Sequence, residues 1–362
     1  MLSPPKPEEA ALLGAEPVEA KAPAASLLLS RSQALALSIK STVGSGIFAI
    51  PFGFRLAGLI GGVLILTLTF ALSYIGGLLL LRSRQRSFPG VSRVTYSDVG
   101  HHWSGSKGRL LVDSMTVALQ IGTIFAYCIF IIETLSNALP SVERAALVVA
   151  LLLALIPILQ LRRIESISLI AAAADILAVR GSRFDLKGVC LVLPVQSSMA
   201  NPSEYRQVWS WTMLSVFILY LVFGILGYAA FGDSTDDIIL NNFATSDIKR
   251  ATQVIYCLAL LLSTAVQAVP AFEIVERNDT KAYMLTIALR LGLAAMAAIT
   301  TMVVPGFAIV VSLIGAVFGS VMAFGLPAVI VLKLEPGLSR LKRNSSHGLK
   351  ETIEDLSTIS NK

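Results

Sequence analysis

Residues 40–52 read KSTVGSGIFAIPF, and they lie within an apolar run that extends from about residue 33 to about residue 54. Two glycines flank Ser45, and each glycine costs about 1 kcal/mol relative to alanine inside a helix. Pro51 removes the main-chain hydrogen bond that an ordinary residue at this position would donate to Ile47. The stretch therefore predicts a long apolar helix that is broken near residues 44–46.

A broken helix of this kind has two readings. Irregular backbone at membrane depth persists where it lines a cavity or is buried in protein, and transporters use such exposed amides to bind anionic groups. Alternatively, the glycines only allow a neighbouring helix to approach closely. Because Gly-Ser-Gly and Pro51 occur together in one run, the pattern favours a binding site.

The composition of the whole chain is that of an integral membrane protein. Its 362 residues are 55% hydrophobic and 14% charged, and the mean hydropathy is +0.74. These are more apolar side chains than a soluble core of this size can bury. About 20 apolar residues cross a bilayer as a helix, and the runs that qualify are about 33–54, 58–81, 110–132, 145–161, 212–231, 254–272, 284–304 and 306–332. The sequence therefore predicts about eight full spans.

The charged residues between these runs indicate the orientation. The segment between the second and third runs is basic, with Arg82, Arg84, Arg86, Arg93, Lys107 and Arg109. The segment after residue 231 is acidic, with Asp233, Asp236, Asp237 and Asp247. The positive-inside rule places the basic segment and both termini in the cytosol. The net charge of +6 is thus explained by the membrane, and no nucleic-acid partner is expected.

Two apolar pieces are too short to span the bilayer. Residues 166–179 and 188–200 flank a charged linker that contains Arg180, Arg183, Asp185 and Lys187. They predict either a shallow re-entrant hairpin or the remains of two helices whose facing halves are missing.

Several polar residues lie at membrane depth. Lys40 precedes Gly44 by one turn, and it is either functional or long enough to extend to the interface. Asp175 and Glu133 are carboxylates that could carry protons, although Glu133 could equally be a solvated end residue. On the third run, Gln120, Thr123 and Tyr127 form one stripe, which faces either a cavity or another helix.

The sequence offers no enzymatic site. The three histidines, His101, His102 and His347, fall in loops or in the C-terminal tail. Neither a Cys/His metal spacing nor a phosphate-binding loop occurs, so no cofactor, metal or catalytic residue is expected.

The two ends of the chain are polar. Residues 1–32 are rich in proline, alanine and charge, and they predict a disordered cytosolic tail. Within it, Glu8 precedes the pair Leu12 and Leu13 by four residues, in the manner of acidic dileucine signals for lysosomes or vacuoles; the alternative is an ordinary tail in which this pattern has no role. Residues 335–362 predict a second cytosolic tail, so that residues 33–334 form the membrane domain.

The motifs of the chain resemble those of the amino acid/auxin permease family. The stretch IKSTVGSGIFAIPFGFRLAG (39–58) is similar to the opening signature of the family. Four blocks follow in family order, namely TYSDVG (95–100), FGILGYAAFGDSTDDIILNN (223–242), VPAFEIVER (269–277) and VPGFAIVVSLIGAVFGSVMAFGLPAVIVLKL (304–334). The VPAFEIVER block resembles the vacuolar branch, whereas Lys40 resembles the proton-coupled branch.

The resemblance implies an all-α integral membrane protein with the inverted-repeat transporter fold of the LeuT type, in which the first and sixth helices are unwound at the substrate. Residues 169–179 resemble the start of the fifth helix of that fold, and residues 188–201 resemble the second half of the sixth. Little remains between them, and residues 335–362 are polar where the family has a last helix. The expected fold is therefore incomplete, with about eight full spans plus a short hairpin.

For the site, the resemblance implies a carrier of small neutral amino acids that is coupled to protons and works by alternating access. The implied substrate contacts are the backbone amides of Gly44, Ser45 and Gly46, together with Thr42, Tyr127 and Gly188. Lys40 and Asp175 are the candidates for proton or ion coupling.

Two rival hypotheses follow from the short pieces. One is a non-transporting amino-acid sensor or a truncated isoform, and the other is a gene-model error at the 179–188 junction. A vacuolar or lysosomal membrane is favoured over the plasma membrane, because both the dileucine pattern and the VPAFEIVER block point there.

Overall fold

The computed structural model describes residues 29–89, 91, 94–160, 192–244, 246–276, 283–304 and 306–334. These residues form an all-α structure, apart from one isolated β-bridge between Leu29 and Met199. The α-helices are α1 (Arg31–Thr42), α2 (Ile50–Ser87), α3 (Tyr96–Ala138), α4 (Arg144–Gln160), α5 (Val192–Ser198), α6 (Tyr205–Phe231), α7 (Asp247–Glu276), α8 (Tyr283–Val303), α9 (Phe307–Ile314) and α10 (Leu326–Leu334).

The helices have the length and composition of membrane spans. Five helical stretches are long and apolar enough to cross a bilayer, namely Gly46–Ser87, Tyr96–Ala138, Pro202–Ser234, Asp247–Val275 and Phe307–Lys333. Two shorter apolar helices are Arg144–Gln160 and Ile287–Val303. A helical multi-pass membrane protein is thus confirmed, while the count of about eight spans and the LeuT-type topology stay predictions.

Two helices begin at capping boxes that the sequence encodes. Ser30 Oγ accepts the Gln33 amide at 3.4 Å, and Gln33 Oε1 accepts the Ser30 amide at 3.0 Å. Thr95 and Asp98 form the same pair at the start of α3, at 3.2 and 2.9 Å. Each box supplies acceptors to main-chain amides that have no partner within the first turn.

Glycines with positive φ turn the two longest helices. Gly58 in α2 has φ 72°, so residues 50–57 extend the first predicted run and the remainder of α2 forms the second. In α3, Ser104 and Gly105 (φ 60°) separate a short first segment from the long apolar one. Only glycine adopts such φ values without a steric cost.

The bundle is held by two buried apolar clusters. The first joins α3, α4, α7 and α8 around Phe130 and Leu155. The second joins α1, α2, α5, α6 and α10 around Leu80, Tyr205 and Met322. Between them, α2 packs along α6 and α3 packs along α7, which leaves space for a cavity at the centre.

Of the short apolar run at 188–200, the structure describes residues 192–200, and within these the seven residues of α5 are helical. Leu29 is paired with its C-terminal end, because the Leu29 amide donates to Ser198 O at 2.8 Å and Leu29 O accepts the Ala200 amide at 3.1 Å. The companion run at 166–179 lies outside the described residues.

Candidate functional site

The break in the first span is present. Helix α1 ends at Thr42, Val43 and Gly44 are extended, and a 3₁₀ turn over Ser45–Ala49 leads into α2. Gly44 has φ −101° and ψ −174°, and its backbone is hydrogen-bonded to the Tyr220 hydroxyl of α6. The predicted interruption is therefore confirmed, and it lies slightly earlier than residues 44–46.

A central cavity of about 370 Å³ lies beside the end of α1. It is bounded by α1, α2, α3, α6, α7 and the end of the last span. Its aromatic lining is Phe70, Tyr205 and Trp209, and its other polar lining is Ser38, Thr42, Thr69, Ser73, Gln120, Thr123 and Gln267. Among the residues that the structure describes, no charged side chain lines this cavity.

The polar stripe on α3 serves both of the roles that the sequence left open. Gln120 and Thr123 line the cavity. One turn further on, the Tyr127 hydroxyl accepts a hydrogen bond from Gln267 Nε2 of α7 at 3.3 Å. The stripe thus forms one wall of the cavity and also joins two helices.

The other proposed site residues are dispersed. Thr42 lines the cavity, and its hydroxyl donates to Ser38 O at 2.8 Å. Gly46 instead lines a second cavity, as described below. The side chains of Ser45 and Lys40 are not described, although both backbones are, and Gly188 and Asp175 lie outside the described residues. The substrate and coupling roles of these residues stay predictions.

The second cavity is an apolar groove of about 740 Å³ between the start of α2 and the start of the last span. Its lining includes Gly46, Phe52, Leu56, Leu66, Ile309 and Leu313. Several of these side chains are largely exposed, among them Leu56 at 72% and Leu313 at 62%. Such a surface suits lipid contact rather than an amino acid.

Sequence reasoning missed the residues that come from distant helices. Gln267 lies within an apolar span of α7, and an amide with several hydrogen-bonding atoms at that depth was an available signal. Trp209 closes another side of the cavity, and its Nε1 donates to Tyr74 O at 3.2 Å. The indole of Trp209 can lie here because residue 77 is a glycine, where a Cβ would lie 2.4 Å from the ring. No local sequence pattern indicates that contact.

Two carboxylates, those of Glu133 and Asp237, accept hydrogen bonds from main-chain amides at the N-terminus of α9. Glu133 Oε1 accepts the Gly306 amide at 3.0 Å, and Oε2 accepts the Phe307 amide at 3.2 Å. Asp237 Oδ2 accepts the Ala308 amide at 3.4 Å. Glu133 is therefore not merely a solvated end residue, since it satisfies amides that have no partner within the helix.

Asp237, which lies in the loop between α6 and α7, has a carboxyl whose pKa is raised to near neutrality. Burial is the main cause that raises the pKa of Asp237 from 3.8 to about 7. A hydrogen bond with Asp236 and the negative charges of Glu133 and Asp236 act in the same direction, whereas the Ala308 amide opposes them.

A pH dependence of stability follows from this pKa. Between about pH 4 and pH 7 the folded protein binds a proton at Asp237 that the unfolded chain has released, so the free energy of unfolding decreases as the pH rises through this window. Asp237→Asn keeps an oxygen for the Ala308 amide and removes the titration. We expect the variant to raise the midpoint of thermal unfolding at pH 8 by about 2 °C or more.

The measurement is thermal unfolding of the purified protein in detergent at pH 5 and pH 8. Asp233→Asn is the matched control, because Asp233 is an exposed aspartate of the same loop. If both variants show the pH dependence of the unmodified chain, Asp237 does not contribute to it.

The fold and the cavity thus define a helical multi-pass membrane protein with an internal cavity whose described lining is largely apolar, contains several amides and hydroxyls, and carries no charge. The chain belongs to the family of transmembrane amino acid transporter proteins, whose match covers residues 29–181 and 183–342. This confirms the family that the sequence motifs resemble, and it is a family of transporters rather than enzymes. The two matched parts meet at residue 182, within the 179–188 junction.

Individual relatives agree with the family. The chain is 28% identical over 290 residues to vacuolar amino acid transporter 3 of Schizosaccharomyces pombe. This alignment covers 69% of this chain and 43% of that protein. It is also 28% identical to amino acid transporter AVT3C of Arabidopsis thaliana. That alignment extends over 397 residues and covers 93% of this chain and 89% of that protein. A similar match, at 26% identity, is vacuolar amino acid transporter 4 of Saccharomyces cerevisiae, of which 42% is covered.

Proposed function

We propose that this protein carries small neutral amino acids across a vacuolar or lysosomal membrane by alternating access, coupled to protons, and that it has an inverted-repeat fold of the LeuT type. The observation that carries the proposal is the central cavity beside the broken helix, in a chain of this family. Its volume of about 370 Å³ is within the range of small-molecule sites, roughly 300–1,000 Å³.

The lining of the cavity supports a neutral substrate. Among the lining residues that the structure describes, which are all uncharged, a charged substrate side chain would find no opposite partner. An unpaired buried charge costs several kcal/mol, so the described part of the lining favours neutral over acidic and basic amino acids. Neutral amides and hydroxyls such as Gln120, Thr123 and Gln267 suit the carboxylate and ammonium groups of a zwitterion.

Vacuolar relatives support the location and the substrate class. Two of the relatives described above are named vacuolar amino acid transporters. For proton coupling, Lys40 and Asp175 remain candidates, and Asp237 is a third because its pKa of about 7 allows it to exchange protons across the range between cytosol and vacuole.

A sensor or truncated isoform is the second candidate. The alignment with the Arabidopsis protein extends over 397 residues, which is more than the 362 residues of this chain. The relative therefore has residues at positions where this chain has none. A loss of that kind in the fifth and sixth helices would impair the moving bundle and therefore transport.

The test is uptake by the purified protein in liposomes. With an inward proton gradient, we expect labelled alanine or serine to accumulate several-fold above empty liposomes and arginine to remain at background. Absence of any uptake, in a preparation where the Arabidopsis relative is active, contradicts the carrier. Amino-acid binding by calorimetry without flux then supports the sensor.

A further inference from the structure

The last span is irregular where it passes the central cavity. Two π-helical segments, Gly315–Gly319 and Val321–Gly325, separate α9 from α10. In the second segment the Leu326 amide donates to Val321 O, five residues back. Such π-helical turns are rare in proteins and are frequent at functional sites.

The π-helical turn and a proline together leave one carbonyl without its usual donors. In a regular α-helix, the Leu326 amide would serve Met322 O, but here it donates to Val321 O. In the π-helical pattern the next amide along, that of residue 327, would serve Met322 O. Residue 327 is a proline and has no N–H.

A side chain from another helix supplies the missing donor. The Tyr96 hydroxyl donates to Met322 O at 3.1 Å in a buried setting. Tyr96 is 4% exposed and Met322 is fully buried, so water is a poor substitute. A buried carbonyl without a donor costs about 1–3 kcal/mol.

On another side, the same segment contacts the backbone of α2. A Cβ on Gly76 would lie 1.9 Å from Ala323 O, so the two main chains are in direct contact. The segment is thus held between Gly76 and Tyr96. Met322, Ala323 and Pro327 all line the central cavity, and their position therefore sets the shape of its wall.

We propose that Tyr96 is a positioning residue for transport, because its hydroxyl holds the π-helical segment so that Met322 and Ala323 shape the substrate cavity. The tyrosine itself does not line the cavity, and it acts through the Met322 carbonyl. The transport part of this inference rests on the proposed function, whereas the positioning part does not.

The test is a double-mutant cycle between Tyr96→Phe and Pro327→Ala. Tyr96→Phe removes only the hydroxyl, and we expect the half-saturation concentration for alanine uptake to rise about ten-fold with a maximal rate within about two-fold. Pro327→Ala restores an amide that can serve Met322 O. In that background, Tyr96→Phe is expected to change the half-saturation concentration by less than about two-fold.

Tyr74→Phe is the matched control, because the Tyr74 hydroxyl also bonds a distant helix, through Ser210 Oγ at 3.1 Å. The proposal is overturned if Tyr96→Phe raises the half-saturation concentration for alanine uptake no more than Tyr74→Phe does. It is also overturned if the effect of Tyr96→Phe is the same with proline and with alanine at residue 327.

A second measurement separates the positioning role from the proposed function. Ala323→Cys is introduced into a chain in which Cys128, Cys190 and Cys257 are replaced by alanine, and its alkylation rate is measured without substrate. We expect Tyr96→Phe to raise this rate several-fold and Pro327→Ala to restore it. If the rates behave in this way and no variant transports, positioning stands and the carrier function fails. Normal uptake with unchanged alkylation overturns positioning alone.

Discussion

Gly76→Ala is expected to prevent the formation of a stable folded protein. A Cβ at this position would lie 1.9 Å from Ala323 O and 2.9 Å from the Ala323 carbonyl carbon and Phe324 Cα. All three atoms belong to the main chain, so no side chain can rotate to make room. Overpacking costs typically about 1–3 kcal/mol, and separating two backbones is at the upper end or beyond. We expect little monodisperse protein after detergent extraction, and uptake at background.

Gly53→Ala is the control for this substitution. Gly53 lies in the same helix, and a Cβ there would have no neighbour within 4 Å. Its yield and thermal unfolding should match those of the unmodified chain. A normal yield and unfolding midpoint for Gly76→Ala would show that the close approach of α2 to the last span is not required.

Gln267→Leu is expected to reduce uptake at least ten-fold while the protein stays folded. Leucine has a similar volume but removes the cavity amide and the hydrogen bond that Gln267 Nε2 donates to the Tyr127 hydroxyl at 3.3 Å. The substrate and Tyr127 then both lose a polar partner, and each such loss is worth about 1–3 kcal/mol. Initial rates of alanine uptake in liposomes measure the effect, and size-exclusion profiles report the fold.

Two variants resolve the cause. Gln253→Leu makes the same change in the same helix away from the cavity, where Gln253 Nε2 donates to Asn241 Oδ1 at 3.2 Å. It should leave the half-saturation concentration unchanged. Tyr127→Phe removes only the hydroxyl that accepts the hydrogen bond from Gln267. If this variant loses as much uptake as Gln267→Leu, the effect is due to that hydrogen bond. Unchanged uptake in Gln267→Leu would show that Gln267 is not part of the substrate site.

The break in the first span could be predicted because its causes are local. Gly44, Gly46 and Pro51 weaken the helix through their own backbone properties, and the structure unwinds within one or two residues of the expected place. The family was likewise encoded in contiguous blocks of sequence. Local periodicity also placed Gln120, Thr123 and Tyr127 on one face of a helix.

The composition of the cavity could not be predicted in the same way, because it depends on which helices meet. Gln267 and Trp209 reach it from helices more than 130 residues distant along the chain from the residues they contact. Glu133 likewise binds amides 173 and 174 residues away. Such contacts are set by tertiary packing, on which the spacing of residues within one helix carries no information.

Thr69 lines both the central cavity and the apolar groove, so the two spaces share this residue as part of their boundary. The Thr69 hydroxyl donates to Ile65 O of its own helix at 2.8 Å and is therefore engaged away from both spaces. For pharmacology, we expect that a small lipophilic compound that enters the apolar groove from the hydrocarbon side would reach Thr69 without passing through water. The potency of such inhibitors should follow their membrane partition coefficients, and a screen that scores only aqueous concentration would rank them wrongly.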